Sequence, residues 1–186
     1  MNSLVSVIMP YYNKKNFFFK SINSVLNQTH SKLEIIIIYD DQNRNDLKYI
    51  KNCIKNDLRV KIIFNDKNEG VAYSRNKAIS IAQGEYVAFL DCDDFWEINK
   101  VEVQLNFMFT NDYDFSHTTY RIINYNEKII GTIKAKKKLK YKELLKSCDI
   151  GLSSVILKRN LLNDIKFPDL KTKEDFVLWL SLAKKS

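Results

Sequence analysis

The stretch LEIIIIY, residues 33–39, followed at once by Asp40 and Asp41, decides the fold class of this chain. A near-continuous apolar run of this kind predicts a strand of a parallel sheet that is covered on both faces. Shorter apolar runs predict three further strands, at Val5–Met9 (ended by Pro10), Val60–Phe64 and Tyr86–Leu90. The spacing of these runs leaves room for a helix between each strand and the next.

Apolar residues recur at helical spacing in those gaps. Phe18 and Ile22 mark a first helix, Ile50 and Ile54 mark a second, and Ala72–Ala82 predicts a third that Gly84 closes at its C-terminal cap. Alternation of strands and helices implies right-handed crossovers. The sequence therefore predicts an α/β fold with a mostly parallel central sheet and helices on both faces.

The second half of the chain has a different pattern. Phe115–Ile123 and Lys128–Lys134 are rich in β-forming residues and predict a β-hairpin, Gly151–Lys158 predicts another strand, and Glu174–Lys184 a helix. No repeat or low-complexity linker separates the halves. We therefore expect one domain over 1–186, with a nucleotide-handling part at 1–98 and an acceptor-side part at 99–186. Since the last helix is followed by nothing, we also expect a chain cut from a longer protein.

Composition narrows the class of protein. With 45% hydrophobic and 28% charged residues, the chain is typical of a globular domain, and no apolar run approaches the length of a membrane span. Three cysteines without a C-x-x-C pair predict neither a disulfide framework nor a zinc cluster, which favours a cytoplasmic protein. Since no basic n-region precedes a long apolar stretch at the start, we expect no secretory signal.

The net charge of +8 is partly local, because six lysines lie within Lys134–Lys142. Two interpretations stay open for this run. It is a solvated loop, or it is a patch that meets phosphate groups or the inner face of an anionic membrane. No nucleic-acid module accompanies the charge, so we do not expect a nucleic acid as partner.

The strongest chemical signal is the acidic cluster Asp91-Cys92-Asp93-Asp94. It directly follows a predicted strand, at the edge of the sheet where ligands bind in open α/β folds. Packed carboxylates repel one another unless a cation lies between them, and a hard divalent cation binds carboxylate oxygens well. A plain acidic turn, with Asp94 as the cap of the next helix, is the alternative.

An ordered set of motifs resembles glycosyltransferase family 2, an inverting group with the GT-A fold, a Rossmann-like architecture. The matching segments, in order, are Val5–Asn13, Ser24–Thr29, Glu34–Asp41, Asn68–Asn76, Ala82–Tyr86 leading into the D-x-D of Asp91 and Asp93, Gly151–Val155, and Lys173–Asp175 with Trp179. Each motif alone is weak evidence. Together they run from about residue 4 to residue 184 in the family's order.

The resemblance implies a metal-dependent transferase that moves a sugar from a UDP-sugar to an acceptor hydroxyl. At the nucleobase, the resemblance assigns Pro10 and Tyr12 as contacts, with Tyr12 stacking, and Asp40 as the acceptor for the uracil N–H, with Asp41 in reserve. Arg75 is assigned to the diphosphate or base, Asp91 to the ribose or metal, and Asp93 as the best ligand of Mn²⁺ or Mg²⁺. Asp175 is the implied general base, and Glu174 orients it or binds the acceptor. The implied acceptor is a saccharide or lipid-linked saccharide of bacterial surface polysaccharide or lipo-oligosaccharide synthesis.

Simpler interpretations remain beside these roles. Tyr12 could pack on the first helix, Arg75 could form a surface salt bridge, and Glu174 with Asp175 could complement a helix N-terminus. Trp179 is expected to pack rather than bind.

The chain also departs from the family pattern, which usually has D-D-G-S after the second strand, whereas this chain has Tyr39-Asp40-Asp41-Gln42. Either Asp40 holds its place and Tyr39 replaces the first acid, or the pair has slipped by one. One alternative function is therefore a transferase-like module that binds a nucleotide without turnover. A receiver-like or nucleotidyltransferase domain that uses Asp40, Asp41 and Asp93 is another, although the chain has only four glycines from which to build a phosphate loop. The sequence does not determine the donor sugar or the oligomeric state.

Overall fold

We describe residues 2–185 of a computed structural model of the chain. The helices are α1 (Lys15–Leu26), α2 (Leu47–Ile54), α3 (Val71–Ile81), α4 (Lys100–Thr110), α5 (Tyr141–Leu144) and α6 (Glu174–Lys185). The strands are β1 (Val5–Tyr11), β2 (Leu33–Tyr39), β3 (Val60–Phe64), β4 (Tyr86–Phe89), β5 (Phe115–Ser116), β6 (Tyr120–Ile123), β7 (Ile129–Ile133) and β8 (Ile156–Lys158). Short 3₁₀ turns lie at Leu152–Ser154 and Arg159–Leu162.

The central sheet has the strand order β3-β2-β1-β4-β8-β5. Strands β1 to β4 pair in parallel, while β8 runs antiparallel to both β4 and β5. The order reverses between β1 and β4, since β2 and β3 lie on one side of β1 and β4 on the other. Such a switch point opens a crevice at the carboxyl ends of the strands, where open α/β sheets bind their ligands.

Both faces of the sheet are covered, as the isoleucine run predicts. Ile35 and Ile37 face a core shared with α1, α2 and α4, whereas Ile36 and Ile38 face a second core shared with α3 and α6. All seven residues of β2 are buried. Because successive side chains of a strand point to opposite faces, an apolar residue is required at nearly every position.

The structure confirms the predicted α/β fold, but it moves several boundaries. Strand β1 continues through Pro10 to Tyr11. The backbone of Pro10 is directed toward the β4 side of the strand, but the pairing of β4 with β1 ends at Phe89, opposite Ile8. The missing N–H of the proline therefore costs no ladder hydrogen bond.

The predicted cap role of Gly84 is wrong, because α3 ends at Ile81 and Ala82 follows it in extended conformation. A Cβ on Gly84 would lie 2.6 Å from the backbone nitrogen of Ser6, so glycine is required here by the close approach of β1.

On the acceptor side, the hairpin is β6 with β7, and Phe115 and Ser116 belong instead to the central sheet. The strand predicted at Gly151–Lys158 begins only at Ile156, because Leu152–Ser154 forms a 3₁₀ turn.

Candidate active site

The loop that follows β4 carries the acidic cluster to the switch point between β1 and β4. The Asp91 N–H donates to the Ser153 hydroxyl oxygen (3.2 Å), and that hydroxyl donates to the Asp94 carboxylate (2.6 Å). Helix α4 begins only at Lys100, and its cap residue is Asn99, so the alternative in which Asp94 caps the next helix does not hold. Ser153, on the acceptor-side turn, therefore fastens both ends of the acidic cluster.

Arg75 lies between the loop after β4 and the start of α6. Its guanidinium donates to the Asp91 carboxylate (2.8 Å) and to the Glu174 carboxylate (2.5 Å), and the residue is only 3% exposed. Burial alone would lower the Arg75 pKa, but the two carboxylates raise it above its ordinary value. The ion pairs of Arg75 are therefore buried and not the surface salt bridge of the simpler interpretation, and the guanidinium joins two acids that are 83 residues apart in the chain.

Asp93 is the most accessible carboxylate of the D-x-D motif. One of its oxygens accepts from the Lys14 ammonium at 2.6 Å, and the two side chains are 42% and 43% exposed. No group of three or more potential metal ligands converges within residues 2–185. A divalent cation bound through nucleotide phosphates needs only one or two carboxylates from the protein, and the hard oxygens of Asp93 and Asp91 suit that requirement. The donor set therefore fits a metal that is shared with a diphosphate.

The acidic pair after β2 is divided between an interior and an exposed residue. Asp40 is 2% exposed, and its carboxylate accepts from the Asn65 amide (2.8 Å) and from the backbone N–H groups of Glu69 (2.8 Å) and Gly70 (2.9 Å). Asp41 is only partly buried, and one of its oxygens accepts from the Asn43 N–H (2.9 Å). The geometry therefore favours Asp41 over Asp40 for contact with a ligand.

The pair at the start of α6 is divided in the same way. Glu174 is 8% exposed and bound to Arg75, whereas Asp175 is partly exposed and accepts from the N–H of Phe176, its own neighbour. Burial raises the pKa of the Asp175 carboxyl, while the Phe176 N–H and Arg75 act in the opposite direction. A raised pKa makes a carboxylate a better proton acceptor, provided that the pH keeps it ionised.

The remaining predicted residues occupy the rim of the crevice or the core. Tyr12 is 53% exposed on the loop after β1, so it does not pack on α1 as a core residue would, and the backbone oxygen of Pro10 accepts from the Cys92 thiol. Trp179 is buried against Phe89 and Phe115, as predicted.

Sequence reasoning missed three residues that the structure brings to this crevice: Lys14, Ser153 and Tyr120. A Cβ on Gly151 would lie 2.9 Å from the Tyr120 ring, so glycine is needed for this approach. Burial raises the pKa of the Tyr120 hydroxyl, and the nearby charges of Asp94 and Asp175 add to the effect. Gly151, one of only four glycines, was the one available signal for this contact.

Comparison with known proteins identifies the family of the chain. The sequence profile described as "Glycosyl transferase family 2" matches residues 6–164. The chain belongs to glycosyltransferase family 2.

A curated relative of this family 2 chain is the *Escherichia coli* protein WfgD, described as a UDP-Glc:alpha-D-GlcNAc-diphosphoundecaprenol beta-1,3-glucosyltransferase. It is 42% identical over 181 residues, which cover 97% of this chain and 70% of WfgD.

Solved structures share the GT-A fold. Residues 1–349 of *Staphylococcus aureus* TarS, in complex with UDP, superpose with a TM-score of 0.76 at 26% identity, covering 97% of this chain and 55% of that one. The Pyrobaculum calidifontis mannosyltransferase PcManGT, in complex with GDP-Man and Mn²⁺, superposes with a TM-score of 0.74 at 16% identity. This match covers 98% of this chain and 52% of PcManGT. This chain thus spans about half of either solved structure. None of the helices within residues 2–185 has the length and hydropathy required to span a bilayer.

Proposed function

We propose that this family 2 chain is an inverting glycosyltransferase that transfers a sugar from a UDP-sugar to the hydroxyl of a saccharide or lipid-linked saccharide, in the synthesis of a bacterial surface polysaccharide or lipo-oligosaccharide. The observation that carries the proposal is the Arg75 bridge. It ties Asp91, on the predicted donor side, to Glu174, the neighbour of the predicted base, so that both halves of a transfer site are held together.

For the donor, we assign the base contact to Asp41 rather than to Asp40. Uracil presents a ring N–H, which needs an accessible carboxylate oxygen, whereas the Asp40 carboxylate is buried and already accepts three hydrogen bonds inside the protein. Pro10 lies at the end of β1 and Tyr12 directly follows that strand, where the exposed Tyr12 ring can stack on the base. The complex of TarS with UDP supports a uridine nucleotide as donor.

For the diphosphate, Asp93 and Asp91 would hold a divalent cation, Mn²⁺ or Mg²⁺. The cation would neutralise the negative charge that develops on the departing UDP. Arg75 fixes the direction of the Asp91 carboxylate, and Ser153 fixes the loop that carries both ligands. The protein's own contribution is thus to hold the two carboxylate ligands in place before the UDP-sugar binds.

For the acceptor, we assign Asp175 as the general base and Glu174 as the residue that positions it. Asp175 removes the proton of the acceptor hydroxyl as that oxygen attacks the anomeric carbon, on the face opposite the departing UDP. Such a single displacement inverts the anomeric configuration. Glu174 is occupied by Arg75 and is nearly buried, so it is unsuited to take the proton itself.

The acceptor side also carries almost all of the net charge. Residues 120–142 contain eight Lys or Arg side chains and one Glu, a net charge of +7, whereas the whole chain carries +8. Ile129, Ile130 and Tyr125 of the hairpin are exposed beside these charges. Basic residues with exposed apolar and aromatic side chains suit the surface of an anionic membrane. The name of WfgD, with its undecaprenol-linked substrate, supports a lipid-linked acceptor at such a surface.

A thermal-shift experiment with UDP, with and without Mn²⁺, tests this function. A ligand at about 100 times its dissociation constant stabilises the folded state by roughly 2.7 kcal/mol, and the UDP effect should be clearly larger with Mn²⁺ than with a chelator. Asp93→Asn should remove most of that difference. Asp112→Asn, at an exposed turn, is the matched control and should retain it. Equal metal-assisted binding of UDP by wild type and Asp93→Asn would falsify the metal assignment.

A further inference from the structure

The three acids of the cluster after β4 have partners of different kinds. Asp91 is bound to Arg75, whose side chain is 4% exposed and fixed by a second acid. Asp94 accepts from the neutral hydroxyl of Ser153. Asp93 is bound to Lys14, whose side chain is 43% exposed. Of the three partners, only Lys14 is a cation with room to move.

Lys14 has a backbone fixed by α1 and a long, partly exposed side chain. It is the cap residue of α1, and its carbonyl oxygen accepts the N–H groups of Phe17 (3.1 Å) and Phe18 (3.0 Å). From that anchored position its four-carbon side chain reaches over the switch point to the loop after β4. A lysine ammonium is a compact point charge on a flexible stem, so it can leave one anion for another without any change in the backbone.

The oxygen that Lys14 occupies belongs to the proposed metal ligand. An ammonium and a divalent cation repel each other, so the two compete for the Asp93 carboxylate. When a metal takes that carboxylate, the ammonium must turn away. The carboxylates of Asp91 and Asp94 lie close enough to act on the ammonium, but the diphosphate of a bound donor would bring more negative charge to the same metal ligands.

We propose that Lys14 is a positioning residue that neutralises Asp93 in the metal-free protein and moves to the diphosphate of the donor when a divalent cation binds. The inference rests on the proposed function, because it takes Asp93 as a metal ligand. Lys14 thereby opposes metal binding in the absence of nucleotide and favours it when nucleotide is present. Metal and donor would consequently bind as a pair.

Two binding measurements on Lys14→Met test the proposal, since methionine keeps the apolar stem and removes the charge. The first is the dissociation constant of Mn²⁺ alone, followed by electron paramagnetic resonance. The second is the dissociation constant of UDP at saturating Mn²⁺, by calorimetry. We expect Mn²⁺ alone to bind about two- to fivefold more tightly, the scale of one exposed ion pair. We expect UDP to bind about three- to tenfold more weakly, because one charge-assisted contact is lost.

Lys15→Met is the matched control. Lys15 is the adjacent lysine, exposed to a similar degree, but it faces Asp46 and the ring of Tyr49 rather than Asp93. It should change neither constant. If Lys14 has a purely structural role, Lys14→Met should weaken the binding of both Mn²⁺ and UDP. That outcome, or unchanged dissociation constants, would overturn this inference and leave the proposed function intact. A wild-type chain that binds UDP equally well without Mn²⁺ would instead overturn the metal assignment, and this inference with it.

Discussion

The acidic pair after β2 and the acidic pair at the start of α6 are built alike but held by different chemistry. In each, the first residue is buried and the second is partly exposed: Asp40 with Asp41, and Glu174 with Asp175. Asp40 is held by neutral N–H donors of the loop that leads into α3, whereas Glu174 is held by the charged guanidinium of Arg75. The donor-side pair is thus fixed by local loop geometry, and the acceptor-side pair by one long-range ion pair.

The comparison shows how a pair of adjacent acids can serve both structure and chemistry. The buried member satisfies donors that would otherwise be unpaired, and its backbone fixes the direction of its neighbour. Since Arg75 contacts both Glu174 and Asp91, the acceptor-side pair is coupled to the acidic cluster after β4. The pair after β2 is held differently, because the Asp40 carboxylate accepts from the neutral amide of Asn65 and from the backbone N–H groups of Glu69 and Gly70.

The largest effect is expected at the exposed member of the acceptor-side pair. Asp175→Asn should reduce transfer by about 10²–10⁴-fold, the usual contribution of a general base, while binding of UDP and Mn²⁺ stays nearly unchanged. Steady-state turnover and calorimetry on the same preparation measure the two quantities. The product should have the inverted anomeric configuration.

Glu174→Gln is the matched test of the buried member. It removes a charged hydrogen bond from Arg75, so it should lower the free energy of unfolding by about 1–3 kcal/mol, with a smaller loss of turnover. The division of roles is refuted if Asp175→Asn transfers sugar at a normal rate while Glu174→Gln is inactive. Retention of the donor's anomeric configuration would contradict the single displacement itself.

The donor-side pair should divide in the same way, with a smaller effect. Asp41→Ala should weaken the binding of UDP by about 1–3 kcal/mol, because it removes a charged contact to the ligand, and should leave the free energy of unfolding almost unchanged. Asp40→Ala should lower the free energy of unfolding by about 2–4 kcal/mol, since it leaves the Glu69 and Gly70 N–H groups without their acceptor. Urea unfolding and UDP titration of both variants would separate these effects. If Asp40→Ala weakens UDP in a chain of normal stability, the base contact belongs to Asp40 after all. Tight binding of CDP or GDP would argue against uridine.

The smallest effect concerns the basic segment, which has no counterpart on the donor side. Lys137→Gln should weaken binding to vesicles that contain anionic lipid by about 1 kcal/mol at low salt, since each lysine near such a surface contributes about that much. Lys51→Gln, on the exposed side of α2, is the donor-side control and should have no effect. Co-sedimentation should decline as salt is added. Equal binding to neutral vesicles, or no binding, would leave Lys134–Lys142 as a solvated loop.

Most of the fold was predictable because it depends on local patterns. The run Leu33–Tyr39 is a strand with the predicted bounds, because burial on both faces demands an apolar side chain at nearly every position. Val60–Phe64 also has the predicted bounds, although this edge strand is only partly buried. The predictions failed where a contact came from far along the chain. Residue 84 must be glycine because the backbone of Ser6 lies so close to it. Ser154 lies in a turn and not in a strand: its hydroxyl donates to the carbonyl of Gly151, and its own carbonyl accepts from the Gln104 side chain of α4.

The sequence by itself determined the α/β fold, the family and the positions at which acids follow strands. These features follow from side-chain periodicity and from motifs read along one segment at a time. Only the tertiary structure decided which acid of each pair is buried, because the partners of Asp40 lie 25 to 30 residues away and that of Glu174 lies 99 residues away. It also decided that Lys14 meets Asp93. A charge acquires its role from the donors that the fold brings to it, and no pattern within one segment contains that information.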